Sequence, residues 1–261
     1  MQTGTILANR NLQGDYQAVT FHVPEIARTA ESGQFVHVRI GEGLDRILRR
    51  PFSIHDVDDR GGLTVVYKIV GAGTRRLAAM RPGEVCDVLG PLGKAYTPVA
   101  PDEFPVIVDG GYGSAATYLL ARRSPVKGAV LLGARGRADV ILADEYRALG
   151  FDVRISTNDG SLGHRGFVTG LIAPLLAENP GKKVKFYACG PHPMLIALAK
   201  LLQAQRLPGE LSLDHLMCCG VGACFACVVK VKADNAEGWQ YARACKDGPV
   251  FDAESVYTGS N

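Results

Sequence analysis

The rhythm of this chain changes once, around residues 98–105, and that change limits what it can fold into. Before it, short apolar stretches rich in Val, Ile, Thr and Phe recur at 4–9, 17–23, 35–40, 52–56, 63–70 and 85–89. Gly-rich breaks separate several of them, the pattern of a small antiparallel barrel. Pro98, Pro101 and Pro105 then interrupt regular structure. Beyond them, strand-like and helix-like segments take turns: strand 104–108, helix 115–123, strand 129–133, helix 140–149, strand 152–156, helix 168–178, strand 184–188 and helix 194–205. Alternation of this kind predicts a parallel α/β sheet. Residues 211–214 could add a further strand. With 261 residues there is room for two such domains and a small appendix, so we place boundaries at 1–100, 101–210 and 211–261.

The appendix carries most of the chemistry. Five of the seven cysteines fall at 218, 219, 224, 227 and 245. Counted from Cys219, the spacing is C-x4-C-x2-C with a distant fourth cysteine, the ligand order of a plant-type 2Fe–2S cluster. Four thiolates supply soft, negatively charged donors to two irons. Gly220 and Gly222 let the loop curl, bringing backbone N–H groups toward the sulfurs. Structural zinc sites usually pair two C-x2-4-C hooks, whereas this tail has one tight hook and two outliers. Disulfides are not expected, since the Met1-Gln2-Thr3-Gly4-Thr5 start lacks the features of an export signal. Cys218 neighbours Cys219 and could compete for iron, although the count favours Cys219. Cys86 and Cys189 lie in apolar, strand-like runs, where packing is the default role.

Two turns in the second half look built for a dinucleotide. Gly110-Gly111-Tyr112-Gly113 joins a strand to a helix and offers free N–H groups to a pyrophosphate. Cys189-Gly190-Pro191-His192-Pro193-Met194 repeats the layout after a later strand and sets a small thiol beside the cleft. On chemistry alone, packing and a place beside a nicotinamide ring stand about even for Cys189. In the first half, Arg49-Arg50-Pro51-Phe52-Ser53 joins a phosphate-reading fork to a rigid turn, an aromatic face and a hydroxyl. Gly71-Ala72-Gly73-Thr74 follows the strand ending Tyr67-Lys68 and is a second glycine turn able to wrap a phosphate. An arginine pair on its own is more often a solvated surface.

Taken in order, Arg-Pro-Phe-Ser, Tyr-Lys, Gly-Thr, Gly90-Pro91-Leu92-Gly93, the Gly-Gly-x-Gly turn and Cys-Gly-Pro-x-Pro-Met resemble the ferredoxin–NADP reductase superfamily. With the cysteine run and Cys245-Lys246-Asp247-Gly248-Pro249-Val250-Phe251 added, the whole chain resembles the electron-transfer subunits of type B dihydroorotate dehydrogenases. The resemblance implies a multidomain β plus α/β fold: an N-terminal antiparallel flavin-binding barrel, a parallel α/β nucleotide-binding domain and a small C-terminal 2Fe–2S module. It implies FAD, a 2Fe–2S cluster and NAD as cofactors. It also implies a catalytic dihydroorotate dehydrogenase partner holding FMN, assembled two plus two as a heterotetramer, in pyrimidine biosynthesis.

Carried over by position, Arg50 pairs with the FAD phosphates and Pro51 and Phe52 shape the flavin site. Ser53 and Cys189 are the residues expected nearest the reacting rings, Ser53 by hydrogen bonding near flavin N5. Val66, Tyr67 and Lys68 line the ribityl side, and Gly73 and Thr74 hold the FAD pyrophosphate. Gly110, Gly111 and Gly113 take NAD, while Cys219, Cys224, Cys227 and Cys245 ligate iron. The chain departs from the family pattern in three places. No proline follows the dinucleotide glycines, lysine stands at 68 where arginine is common, and Arg135 and Arg137 could favour a 2′-phosphate, so NAD over NADP is a lean.

The neighbouring readings are an oxygenase reductase, with a larger ferredoxin module, and the small subunit of a ferredoxin-dependent transhydrogenase or sulfide dehydrogenase, which tends to carry aspartate where Cys219 stands. A zinc-bearing scaffold is the non-enzymatic one. A net charge of +3 with no basic block gives no case for nucleic acid, and no apolar run approaches the ~20 residues of a membrane span. Reduced cysteines without a targeting segment point to the cytoplasm.

Overall fold

The structure, a computed structural model, describes residues 1–41, 48–213 and 216–259. Its first sheet is antiparallel throughout: β1 (Gln2–Gln13), β2 (Tyr16–His22), β3 (Phe35–Arg39), β4 (Arg50–Ser53), β5 (Asp56–Val57), β6 (Gly62–Lys68) and β7 (Val85–Leu92), in the order β4-β3-β7-β1-β2-β6-β5. A two-residue turn joins β1 to β2, with Gly14 in the left-handed region at φ +51°. The alternation of β-branched and aromatic residues decides which face turns inward. Val19 and Phe21 of β2, Val36 and Val38 of β3, and Leu63 and Val65 of β6 meet in one buried core.

The residues on the opposite face are buried as well, against the second half of the chain. Tyr16, Ala18 and Val66 join a core with Ile107, Ala115, Tyr146 and Tyr187. Phe35 joins another with Leu195, Leu211, Met217, Cys227 and Cys245. The three parts therefore share cores. The barrel also holds two short helices that periodicity did not reveal, α1 (Pro24–Thr29) and α2 (Ala72–Ala79). Each is shorter than the 11–18-residue window in which helical periodicity can be read.

The second sheet runs β11-β10-β9-β8-β12-β13-β16, from β8 (Phe104–Gly110), β9 (Ala129–Ala134), β10 (Asp152–Thr157), β11 (His164–Arg165), β12 (Val184–Cys189), β13 (Gly209–Ser212) and β16 (Val250–Asp252). All pairs are parallel except β13 with β16. α3 (Ser114–Arg123), α4 (Ala143–Ala148), α5 (Ile172–Glu178) and α6 (His192–Gln205) make the crossovers. Strand order reverses between β8 and β12, so the carboxyl ends of those strands flank the crevice where doubly wound sheets take ligands. The β14 (Val228–Lys232) and β15 (Trp239–Arg243) hairpin completes the molecule.

Several elements differ from the sequence reading, each for a local reason. The helix expected over 140–149 begins only at Ala143, because Leu142 sits in the left-handed region at φ +62° after a 3₁₀ turn at Arg137–Asp139. That over 168–178 opens as a 3₁₀ turn, Val168–Leu171, and becomes α-helical at Ile172. Pro174 has no N–H for the Gly170 carbonyl, and its ring crowds it. The strand expected over 52–56 is two strands, β4 and β5, bent at Ile54-His55. The strand expected at 211–214 is β13, shifted toward the N-terminus; Asp214 lies outside the described residues. The boundary placed between 210 and 211 falls within β13, and β16 from the tail extends the same sheet.

Candidate functional site: a two-sided cleft and a cysteine loop

On the barrel, β4 and the start of α2 bring the two phosphate-reading motifs together. The Arg50 guanidinium lies across Gly73, where an added Cβ would sit 2.8 Å from Arg50 Nε and 3.2 Å from Cζ. Arg50 also donates to the Leu48 carbonyl. The Thr74 hydroxyl accepts from the Val70 N–H at 2.9 Å and the Gly71 N–H at 3.1 Å, capping α2. Thr74 thus shapes the turn, and its hydroxyl is already engaged. Phe52 and Tyr67 form a tilted ring pair with centroids 5.6 Å apart. Burial holds the Tyr67 hydroxyl well above its usual range, and its oxygen has no hydrogen-bond partner among the described residues. A buried hydroxyl left this way calls for an absent partner. The Arg50–Gly73 cradle and this orphaned oxygen both fit a bound dinucleotide.

Two residues grouped with these by sequence point elsewhere. Val66 faces the core shared with the α/β sheet. Lys68 pairs with Asp139 at 2.7 Å, and Asp139 also accepts from the Tyr16 hydroxyl at 2.8 Å. This is a clamp between barrel and α/β sheet. The hydrogen bond from Lys68, then that from Tyr16, holds the Asp139 carboxyl below the usual carboxylate range against the opposing effect of burial. Arg135 is 81% exposed and only brushes Asp139 at 3.4 Å, while Arg137 is committed to Ser161.

Across the cleft, the two glycine turns interlock. Gly111 takes φ +56°, and a Cβ on Gly113 would strike the Cys189 carbonyl group and lie 2.9 Å from the Gly190 nitrogen. A Cβ on Gly110 would meet Pro191 Cδ at 2.5 Å. Glycine is required here because two chain segments pass at backbone distance. Cys189 is buried where they meet.

Beneath the turn lies a group that the sequence reading missed. Asp109 is fully buried, accepts from the Thr117 hydroxyl at 2.7 Å and lies 3.5 Å from the Tyr146 hydroxyl. Burial, only partly offset by these hydrogen bonds, pushes its carboxyl up to about 7. The available signal was an aspartate closing an otherwise apolar strand. Its folded pKa exceeds the ordinary 3.8, so its contribution to stability is complete below 3.8 and is lost as pH rises through about 7. We therefore expect the melting temperature of the wild-type protein to fall more steeply between pH 4 and pH 8 than that of Asp109→Asn. Parallel curves would remove Asp109 from the account.

The cysteine loop packs on the barrel, with Gly220 against His37 of β3. Gly220 (φ +71°) and Gly222 (φ +82°) fold it so that the Val221 and Ala223 N–H groups point at Cys219 Sγ, at 3.5 and 3.3 Å. Burial pushes the Cys219 thiol up, but N–H groups from Val221, Cys224 and Ala223, together with the Cys224 thiol, outweigh it and bring it down to about 6. The Cys245 N–H points at Cys227 Sγ at 3.4 Å. Burial first, then the Cys227 thiol, raises the Cys245 thiol to about 12. The Cys219 thiol thus interacts with Cys224, and the Cys245 thiol with Cys227 and, more weakly, Cys219. Among the described residues no three His, Cys, Asp or Glu groups are gathered closely enough to hold a metal ion as they stand, and no cysteine is disulfide-bonded. Four thiols supply the soft, anionic donors that a 2Fe–2S cluster takes, in its C-x4-C-x2-C order. Arg243 holds the loop, donating to the Gly222 carbonyl at 3.1 Å and pairing with Asp247 at 3.0 Å. His37 of β3 lies against Gly220; burial, then the Arg49 charge, lowers it to about 4, so its ring is neutral.

Phe35, Pro51 and Ser53 of the barrel, Ser212 of β13, and Met217 and Pro249 of the tail line one small cleft. Barrel, α/β sheet and the segments flanking the cysteines meet there. A barrel with an arginine–glycine cradle, a doubly wound sheet open at its switch point and a four-thiol loop at their junction define a flavin- and nicotinamide-type reductase with an iron–sulfur appendage.

Comparison with known proteins agrees. The family model described as the iron–sulfur cluster binding domain of dihydroorotate dehydrogenase B matches residues 214–257. The electron transfer subunit of dihydroorotate dehydrogenase B (NAD+) from Fusobacterium nucleatum subsp. nucleatum is 41% identical over 230 residues, 86% of each chain. That of Shouchella clausii is 39% identical over 258 residues, 97% of this chain and 96% of that one. A solved NADH-dependent reduced ferredoxin–NADP oxidoreductase superposes with a TM-score of 0.84 at 28% identity, covering 98% of this chain and 90% of that one. The ferredoxin reductase in carbazole 1,9a-dioxygenase shares the fold, with a TM-score of 0.65 at 19% identity over 78% of this chain and 65% of that one. The chain belongs to the family of dihydroorotate dehydrogenase B electron transfer subunits. Among the described residues no helix is long and apolar enough to cross a membrane.

Proposed function

We propose that this chain is the electron-transfer subunit of an NAD-dependent dihydroorotate dehydrogenase, passing electrons from the FMN of a catalytic subunit to NAD+ in pyrimidine biosynthesis. The observation that carries this is a small cleft, lined by Phe35, Pro51, Ser53, Ser212, Met217 and Pro249, at which the flavin-type barrel, the nucleotide-type sheet and the segments flanking the cysteine loop converge. When bound, FAD exchanges electron pairs with a nicotinamide and single electrons with a 2Fe–2S cluster, which no side chain can do.

The chain's own residues bind and orient. Arg50 supplies the charged fork for the FAD phosphates, and the first turn of α2 at Gly73-Thr74 supplies backbone N–H groups. Pro51 and Phe52 form the wall of the flavin site, and the Tyr67 hydroxyl donates into it. Ser53 hydrogen-bonds near flavin N5. Val66 and Lys68 act from behind, Val66 through packing and Lys68 through the Asp139 clamp. Gly110, Gly111 and Gly113 admit the NAD pyrophosphate, with Cys189 at the nicotinamide end. Cys219, Cys224, Cys227 and Cys245 hold the irons. The three tasks divide the chain roughly as 1–100, 101–210 and 211–261, with β13 crossing the last boundary and β16 joining the tail to the sheet. The NAD+ named for the family supports NAD over NADP; Arg137 is held by Ser161, while Arg135 stays exposed. The complex is a two-plus-two heterotetramer in the cytoplasm.

Coexpression with an FMN-containing dihydroorotate dehydrogenase chain tests the proposal. A stable complex that forms orotate only when NAD+ is supplied is expected. A chain that reduces dyes with NADH but neither binds that partner nor changes its acceptor use contradicts it.

A further inference from the structure

We propose that His37 is a positioning residue for the cysteine loop: a barrel-borne imidazole that donates a hydrogen bond to sulfur at the cluster site and so sets the potential at which that site accepts its electron. The inference rests on the iron-ligand reading above and goes beyond it. β3 alternates, so Val36 and Val38 enter the barrel core while Phe35 and His37 face out, toward the cysteine loop. A Cβ added to Gly220 would lie 2.9 Å from both Cε1 and Nδ1 of His37, so the imidazole packs directly on the backbone next to Cys219. Gly220 has φ +71°, and the approach admits no side chain.

His37 has no exposed surface, and neither ring nitrogen has a hydrogen-bond partner among the described residues. An imidazole carries an N–H in either tautomer, and leaving one unsatisfied in the interior costs about 1–3 kcal/mol. The surroundings on the barrel side do not answer it. Phe35, its neighbour on the same face, offers only a ring edge at 5.7 Å, and no acceptor among the described residues meets either ring nitrogen. A ring placed only for packing could be any apolar residue of similar size. A polar ring with an idle donor against the loop that ends in Cys219 is suited to sulfur as acceptor, and hydrogen bonds to sulfur raise a cluster's potential. His37 thus pairs with Pro51 on the barrel side and packs on Gly220 on the other.

The test uses protein carrying both FAD and iron. In His37→Leu we expect the cluster midpoint to fall by the equivalent of about a tenfold change in its one-electron equilibrium, ~59 mV, with altered EPR g-values and an unchanged FAD midpoint. His37→Gln, which keeps a donor, recovers most of the shift. Unchanged midpoint and g-values in His37→Leu at wild-type iron content would overturn the proposal. Should that variant fail to fold, His37→Met carries the same comparison. Pulsed EPR of the reduced wild-type protein with isotopically labelled histidine adds a check without substitution, since the absence of any histidine nitrogen coupling overturns the proposal. Wild-type protein that binds no iron would instead sink the ligand assignment.

Discussion

Cys227→Ser is expected to strip the iron and to lower electron transfer to the catalytic subunit by more than ~100-fold, because even partners outside the first ligand shell are worth 10–100-fold at metal sites. Cys227 is buried, and its sulfur is addressed by the Cys245 N–H at 3.4 Å, so the site is shaped for a thiolate. Serine puts a harder, far less acidic oxygen there. NADH-dependent dye reduction should survive, since the Arg50–Gly73 cradle and the interlocked glycine turns lie outside the loop. Iron content, the visible spectrum and the two activities check this together. Cys218→Ser is the control and should keep its iron. If Cys218→Ser loses iron while Cys219→Ser keeps it, the ligand count starts one residue too late.

The second large effect is on the flavin. Gly73→Val should weaken FAD binding about 10- to 150-fold, the equivalent of one charge-assisted hydrogen bond of about 1.5–3 kcal/mol. The Cβ alone falls 2.8 Å from Arg50 Nε, and valine's two methyl groups leave the guanidinium no room to stay in the cradle. Alanine asks only for a small shift of a flexible side chain, so Gly73→Ala should lose much less. The thermal transition of the apoprotein should move little, because Gly73 lies in the first turn of α2, where Thr74 already caps the helix. Fluorescence titration with FAD reads the difference. Equal affinities for Gly73→Val and wild type would show that Arg50 and Gly73 do not act together.

Much of this was legible in the sequence because it is written in local pattern. Strand rhythm before residue 98, alternation after it, and the C-x4-C-x2-C spacing each report on neighbours in the chain. What escaped depends on distant contacts. Lys68 reads as a ligand contact beside Tyr67, yet its partner Asp139 lies 71 positions away. Asp109 gains its character from burial under Thr117 and Tyr146, which no spacing rule encodes. His37 looks like one polar residue in a barrel strand until Gly220 is brought against it from the far end of the chain. Helices α1 and α2 are too short for periodicity to separate from loops, and the left-handed Leu142 shortens α4 without any glycine to announce it.

The most direct test of the relay is an anaerobic titration of the purified chain with NADH and then NADPH, followed by visible absorption and EPR. The account predicts flavin and iron–sulfur bands that bleach with NADH, and an EPR signal from the reduced cluster that NADH elicits at lower concentration than NADPH. A colourless, zinc-bearing protein, or a flavin that bleaches while no cluster signal ever develops, would contradict it.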